Sequence, residues 1–317
     1  PTTVKDLLLC RGWPTRRGSL TVDPDQPWED DSASVARMRE HGAVFLGKTT
    51  TPEFGWKGVT DSPLTGTTGN PWNPRATDGG GSIRIPAGFC GLFGFKPTFG
   101  VVPVHPHPPP LTLWHQGPLA RTVEDAALLL DVISQPDPRD FYAAPPQAWG
   151  FREGMQGGIR GMRIAYSPTL GYAHVDPEVA ACVARGVAEL ETLGARVDTV
   201  DLALEAPIDI MRPLWSVALA MTVAPMSEAQ KARAEAPMVG IADEGFRLSA
   251  LEYRAVEKRR EDFARRMNML CLEYDLLVTP QLATTAFPVN HEVPPGSGLD
   301  RWWRWSPFTY PFNLSQQ

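Results

Sequence analysis

Apolar positions along this chain alternate between helical and strand periods, and the alternation predicts a layered α/β protein. Asp31 and Ser32 are capping residues ahead of a helical pattern that runs to about His41, where Gly42 stops it, and residues 43–47 form a short apolar run of strand character. Thr122, with Asp125 three residues on, predicts the next helix; Val123, Ala126, Ala127, Leu130 and Ile133 recur on one face of it. Residues 163–166 read as a strand. Asp176-Pro177 then opens a helix in the favoured order of cap before proline, Val179, Val183, Val187, Leu190 and Leu193 mark its apolar face, and Gly194 ends it. A strand over 196–200, a long helix over 249–274 and a strand over 276–279 complete the pattern. The connection over 135–161 has little periodicity and reads as a surface loop. Helix and strand in turn imply a sheet covered by helices on both faces.

Composition narrows the function classes. The 317 residues are 43% hydrophobic and 21% charged, with a net charge of -6, which suits a soluble globular protein and offers no basic footprint for nucleic acid. A small-molecule substrate is expected, without nucleic acid or membrane. No apolar run approaches the length of a transmembrane helix. Cys10, Cys90, Cys182 and Cys271 are scattered, and His105 and His107 lack ligand spacing, so neither a metal nor any other cofactor is expected and the thiols are expected reduced, as in the cytoplasm. Residues 42–49 match the phosphate-loop pattern G-x-x-x-x-G-K-[ST] letter for letter. The four intervening residues are Ala, Val, Phe and Leu, however, which make a strand and not a phosphate cradle.

The segment best suited to chemistry is Asp78-Gly79-Gly80-Gly81-Ser82-Ile83-Arg84-Ile85-Pro86-Ala87-Gly88-Phe89-Cys90. Three glycines let backbone N–H groups approach a ligand, and a serine closes the turn. A nucleophile beside its own oxyanion hole could be built in this way. The residues from Ile83 to Gly91 read as a half-buried strand. Lys5 lies in Thr3-Val4-Lys5-Asp6-Leu7, among strand-forming and apolar residues, a setting that favours burial of a side chain otherwise found on surfaces.

These residues resemble the amidase signature family, whose hallmark is T-D-x-G-G-S-I-R-x-P-A-x-F-C-G. The match runs from Thr77 to Gly91 and on into Phe95-Lys96-Pro97-Thr98. It extends to Val4-Lys5-Asp6, Gly47-Lys48-Thr49, Asn70-Pro71-Trp72-Asn73-Pro74, Gly117-Pro118-Leu119-Ala120-Arg121-Thr122 and Tyr274-Asp275-Leu276-Leu277-Val278-Thr279-Pro280, and is weakest over 205–250. The resemblance implies one amidase-like domain over 1–317 with a large mixed β-sheet, and an amide hydrolase that needs no cofactor. It implies Ser82 as nucleophile, Lys5 as base, and the N–H groups of Gly79, Gly80, Gly81 and Ser82 as oxyanion hole. Arg84 is expected to anchor its strand through an acid such as Asp78. The resemblance leaves room for a homodimer.

One departure stands out. The family carries a second stretch, G-G-S-S-G-G-S, whose cis-peptide serine relays protons between lysine and nucleophile, yet here only Arg75-Ala76-Thr77 separates Pro74 from Asp78. The chain also begins one strand into the family core and stops inside another family segment, so truncation at both ends is expected. An interruption of the backbone between about 74 and 78 is expected too, with adjacent Cα atoms well beyond the roughly 3.8 Å of a trans peptide. Two other readings remain open: the A-type subunit of a tRNA amidotransferase, disfavoured by Ile85 where that protein has glutamine, and a non-catalytic binding protein. Trp302, Trp303 and Trp305 could line an apolar substrate pocket or simply pack beneath a loop.

Overall fold

A computed structural model of the chain describes residues 1–79 and 83–317. The first strand, β1 (Thr2–Lys5), lies parallel to β2 (Phe45–Thr49), joined through α1 (Ala33–Glu40). Two hairpin ladders follow, β3 (Asp61–Ser62) with β4 (Gly66–Thr67) and β5 (Gly69–Asn70) with β6 (Asn73–Thr77). Then come α2 (Arg84–Cys90), the antiparallel pair β7 (Phe93–Gly94) and β8 (Leu119–Ala120), and α3 (Val123–Ile133). The second half holds β9 (Arg163–Tyr166), α4 (Pro177–Thr192), β10 (Arg196–Thr199), α5 (Ile208–Val223), α6 (Glu228–Lys231), α7 (Ala236–Arg247), α8 (Ala250–Leu270), β11 (Leu276–Val278) and α9 (Tyr310–Leu314). Strands β10, β9 and β11 form a parallel sheet in that order. Parallel pairs joined by helices are the α/β arrangement that the periodicity predicts.

Local chemistry accounts for the helix starts. The Thr122 hydroxyl accepts from Asp125 N–H at 3.1 Å, and Asp176 accepts from Glu178 N–H at 2.8 Å ahead of Pro177. Ser249 and Glu252 form a reciprocal capping box at α8. Two elements differ from expectation. Residues 84–90 are a helix and not a strand: Ile83 N-caps it at φ 46°, and Gly91 closes it in the left-handed region. The apolar run after Gly42 pairs two residues later than predicted, as β2. The long stretch 205–250, where family likeness is weakest, folds as α5, α6 and α7.

Strand β6 runs through Asn73–Thr77 and pairs with β5 at Gly69↔Thr77 and Asn70↔Asn73. The Asn70 side chain explains how so short a connection holds: its carbonyl accepts from Trp72 N–H at 3.0 Å, and its amide donates to Phe89 O at 2.7 Å in α2. Thr77 N–H donates to Phe287 O at 2.7 Å, which fastens the hairpin to the later half.

Two apolar cores result. The larger joins Ile85 and Phe89 of α2 to α5, α7, α8 and the tryptophan segment. The smaller packs Val4, Val35, Met38, Leu130 and Ile133. Helices α5 and α7 meet so closely at Gly245 that a Cβ there would collide with the Ser216 carbonyl, whereas Gly240, on the same helix, has open space. Gly245→Ala should therefore destabilise the fold by about 1–3 kcal/mol through overpacking. Gly240→Ala should stabilise it by roughly 0.5–1 kcal/mol, as the helical propensity of alanine over glycine requires. Paired urea denaturation curves check both signs, and a neutral Gly245→Ala would refute the close contact.

Candidate active site

The site begins where β1 and β6 end. Lys5 closes β1, and Asp78 and Gly79 follow β6. Gly79 has φ +78°, and a Cβ on it would lie 2.8 Å from Ile85 Cγ2 and 2.9 Å from Phe89 Cδ2, so only glycine fits against α2. Its N–H donates to Thr77 Oγ1 at 3.2 Å. Ile83, a β-branched residue that follows the glycine-serine segment in sequence, holds φ 46°, a strained conformation of the kind that concentrates at functional sites. Gly80, Gly81 and Ser82 lie outside the described residues.

Lys5 and Asp78 interact electrostatically. Burial of the Lys5 ammonium lowers its pKa to about 8, and the nearby Asp78 carboxylate works against that fall. Burial raises Asp78 to about 6, opposed by a hydrogen bond from Thr60 and by the Lys5 charge. Thr60 is itself buried. The arrangement supplies a lysine that is partly neutral near pH 8 beside Asp78, the protonation state a lysine base requires. Lys5 and Gly79 stand out in the sequence, but Asp78 is expected there to serve Arg84, and Thr60 is not expected at the site at all. The only signal for Thr60 is its place ahead of Asp61 in the hairpin region.

The Arg84 pairing is a correction. Its guanidinium donates to Asn313 Oδ1 and lies 6.0 Å from the Phe312 ring centroid; desolvation alone lowers its pKa to about 10, and no carboxylate opposes that fall among the described residues. Because residues 84–90 form a helix and not a strand, Arg84 is directed toward α9. Around it lie Lys96, lowered to about 6 by burial and then by Arg84, and His115, lowered to about 3 by burial and then by Lys96. The phosphate-loop match is a strand: Lys48 donates to Leu8 O at 2.9 Å and pairs with Asp6 at 3.3 Å. Trp303 and Trp305 are packing residues, with Trp305 stacked on Phe89 at 5.7 Å between ring centroids. Trp302, 6.0 Å from Trp215, walls a pocket with it.

Two clefts share wall residues, and the smaller reaches Ile83 and Arg84. One of about 80 Å³ is lined by Ile83, Arg84, Lys96, His115, Trp215 and Asn313, among others. A wider one of about 430 Å³ includes Leu7, Phe54, Trp114, Trp215, Leu219 and Met226. Pro110, Trp114 and Trp215 line both, so the two share a wall. Such concave, largely apolar sites with a few convergent polar groups suit small ligands. Among the described residues no cluster of His, Cys, Asp or Glu could hold a metal ion.

Comparison with known proteins agrees with this geometry. The sequence model of the Amidase family matches residues 1–77 and 75–317, two pieces that meet where the relay-serine stretch is missing. An acylamidase of Rhodococcus erythropolis is 33% identical over 344 residues, covering 99% of this chain and 72% of that protein. The A-type subunit of the glutamyl-tRNA(Gln) amidotransferase of Cenarchaeum symbiosum is 34% identical over 227 residues, covering 64% of this chain and only 47% of that protein, about half its length. The crystal structure of a bacterial aryl acylamidase of the amidase signature family superposes with a TM-score of 0.90 at 26% identity, covering 100% of this chain and 74% of that one. The chain thus belongs to the Amidase family, has the amidase signature fold, and is by that membership an amide-bond hydrolase.

Proposed function

We propose that the chain hydrolyses linear amides through an acyl-serine on Ser82, with Lys5 as the base. The observation that carries this reading is Lys5 itself, desolvated to a pKa of about 8 beside Asp78 at the root of the glycine turn. Neutral Lys5 takes the Ser82 proton as Oγ attacks the amide carbonyl, and the backbone N–H groups of residues 80–82 donate to the oxyanion that forms, the Gly79 N–H being engaged by Thr77 Oγ1. Each well-placed donor contributes roughly 3 kcal/mol to that step. Collapse breaks the C–N bond, and the Lys5 ammonium returns its proton to the leaving amine. Water, deprotonated by Lys5, then cleaves the ester and regenerates Ser82. Ile85 supports a free-standing amidase over an amidotransferase component. Four free cysteines fit a reducing compartment such as the cytoplasm.

The short span Arg75-Ala76-Thr77 between Pro74 and Asp78, which leaves no room for the family's relay-serine stretch, supports a second reading, in which the chain holds amides without turning them over. Hydrolysis of an anilide by the purified protein, lost in Ser82→Ala with the fold intact by circular dichroism, decides for the first reading. Saturable amide binding with no turnover decides for the second.

Further outcomes follow from the Lys5 site. Because the base must be neutral, kcat/KM should rise about tenfold per pH unit below pH 8 and level off above it. Lys5→Ala should lower the rate by orders of magnitude at every pH; retention of most of the activity would remove the lysine from the mechanism. Asp78 raises the Lys5 pKa, so Asp78→Asn should move the rising limb to lower pH. A limb that stayed in place would uncouple the two residues.

A further inference from the structure

The small pocket beside Ile83 gathers more basic groups than the mechanism above uses. Arg84 comes from α2, Lys96 follows β7, His115 precedes β8, and Arg260 of α8 acts on His115 from behind. Tyr310 and Asn313 of α9 complete the far wall, and among the described residues none that lines the pocket is aspartate or glutamate. Arg260 is held outside, donating to Leu314 O at 2.9 Å and to the Thr112 hydroxyl at 2.6 Å. Among the described residues, Arg84 Nε is buried without a hydrogen-bond partner, and Lys96 Nζ has only the Pro97 carbonyl, at 3.0 Å. Buried donors and cations of this kind normally meet an acceptor or an anion. The volume of about 80 Å³ corresponds to a few heavy atoms, and Pro110, Trp114 and Trp215 of its wall also line the wider apolar cleft.

We propose that this pocket binds a carboxylate carried by the substrate, so that the chain acts on amides with an apolar body and one free carboxylate, gripped by Arg84 and Lys96. The proposal rests on the amidase reading for the position of the scissile bond, because Ile83 directly follows Ser82. Binding of the anion is independent of turnover. Arg84 offers a planar fork that matches a carboxylate, and Lys96 adds a point charge. In the empty pocket Lys96, at about 6, is mostly neutral above pH 7; an anion beside it favours the ammonium, so binding takes up a proton.

Calorimetric titration of the whole chain at pH 7.5 with succinate and with its neutral counterpart succinamide tests this directly. Succinate should bind at least tenfold more tightly than succinamide, take up close to one proton when two buffers of different ionisation enthalpy are compared, and weaken as pH rises. Lys96→Met should abolish the proton uptake and weaken succinate at least tenfold. Equal binding of the two probes, or succinate binding without proton uptake, overturns the proposal. If Lys96→Met does not fold, probe selectivity and proton uptake in the unaltered chain decide it. Failure of hydrolysis with intact succinate binding would count against the acyl-serine reading alone, whereas hydrolysis of neutral anilides with no carboxylate preference would count against the pocket alone.

Discussion

The site depends on how one buried lysine finds its counter-charge. Val4 is in the smaller apolar core, while Ile85 and Phe89 are in the larger one, so the Lys5–Asp78 pair spans the seam between them. The nearest acid in sequence, Asp6, is not free to serve: it pairs with Lys48 and accepts from Arg16 and Gly18 N–H groups at 3.1 Å each. Successive side chains of an extended segment point to opposite sides, which separates Lys5 from Asp6. The charge that offsets Lys5 must then come from another element, and β6 delivers it. A desolvated ammonium with an offsetting carboxylate settles at an intermediate pKa, the value a lysine base requires.

Much of the fold was legible where a local rule decides the outcome. Caps at Thr122 and Asp176 act through bonds two or three residues away, so sequence spacing suffices to find them. The helix at 84–90 was not legible, because Ile-Arg-Ile-Pro carries strand propensity, and tertiary packing against Leu282 and Trp305 overrides it. The same error displaced Arg84. A strand would have kept it near Asp78, whereas a helix turns it toward Asn313. Lys5 and the glycine turn could be read from their motif. Asp78 as the partner of Lys5 could not, since their pairing depends on where two distant strands end. The phosphate-loop match failed for the converse reason: its letters were right, but β2 consumes the backbone groups that a cradle would need.

The missing relay stretch separates what the fold requires from what the chemistry requires. Hairpin β5–β6 is secured at both ends without it, by the Asn70 amide against α2 and by Thr77 N–H against Phe287 O. Ala76 also bridges to Pro288 in the later half. These bonds position Asp78 at the end of β6, and with it the lysine–aspartate pair. A proton relay makes a different demand, an acceptor and donor within hydrogen-bond reach of both lysine and serine. Secure placement of Asp78 and a short path from Lys5 to Ser82 are therefore independent properties. The geometry at Lys5 accounts for the first, and the rate of hydrolysis measures the second.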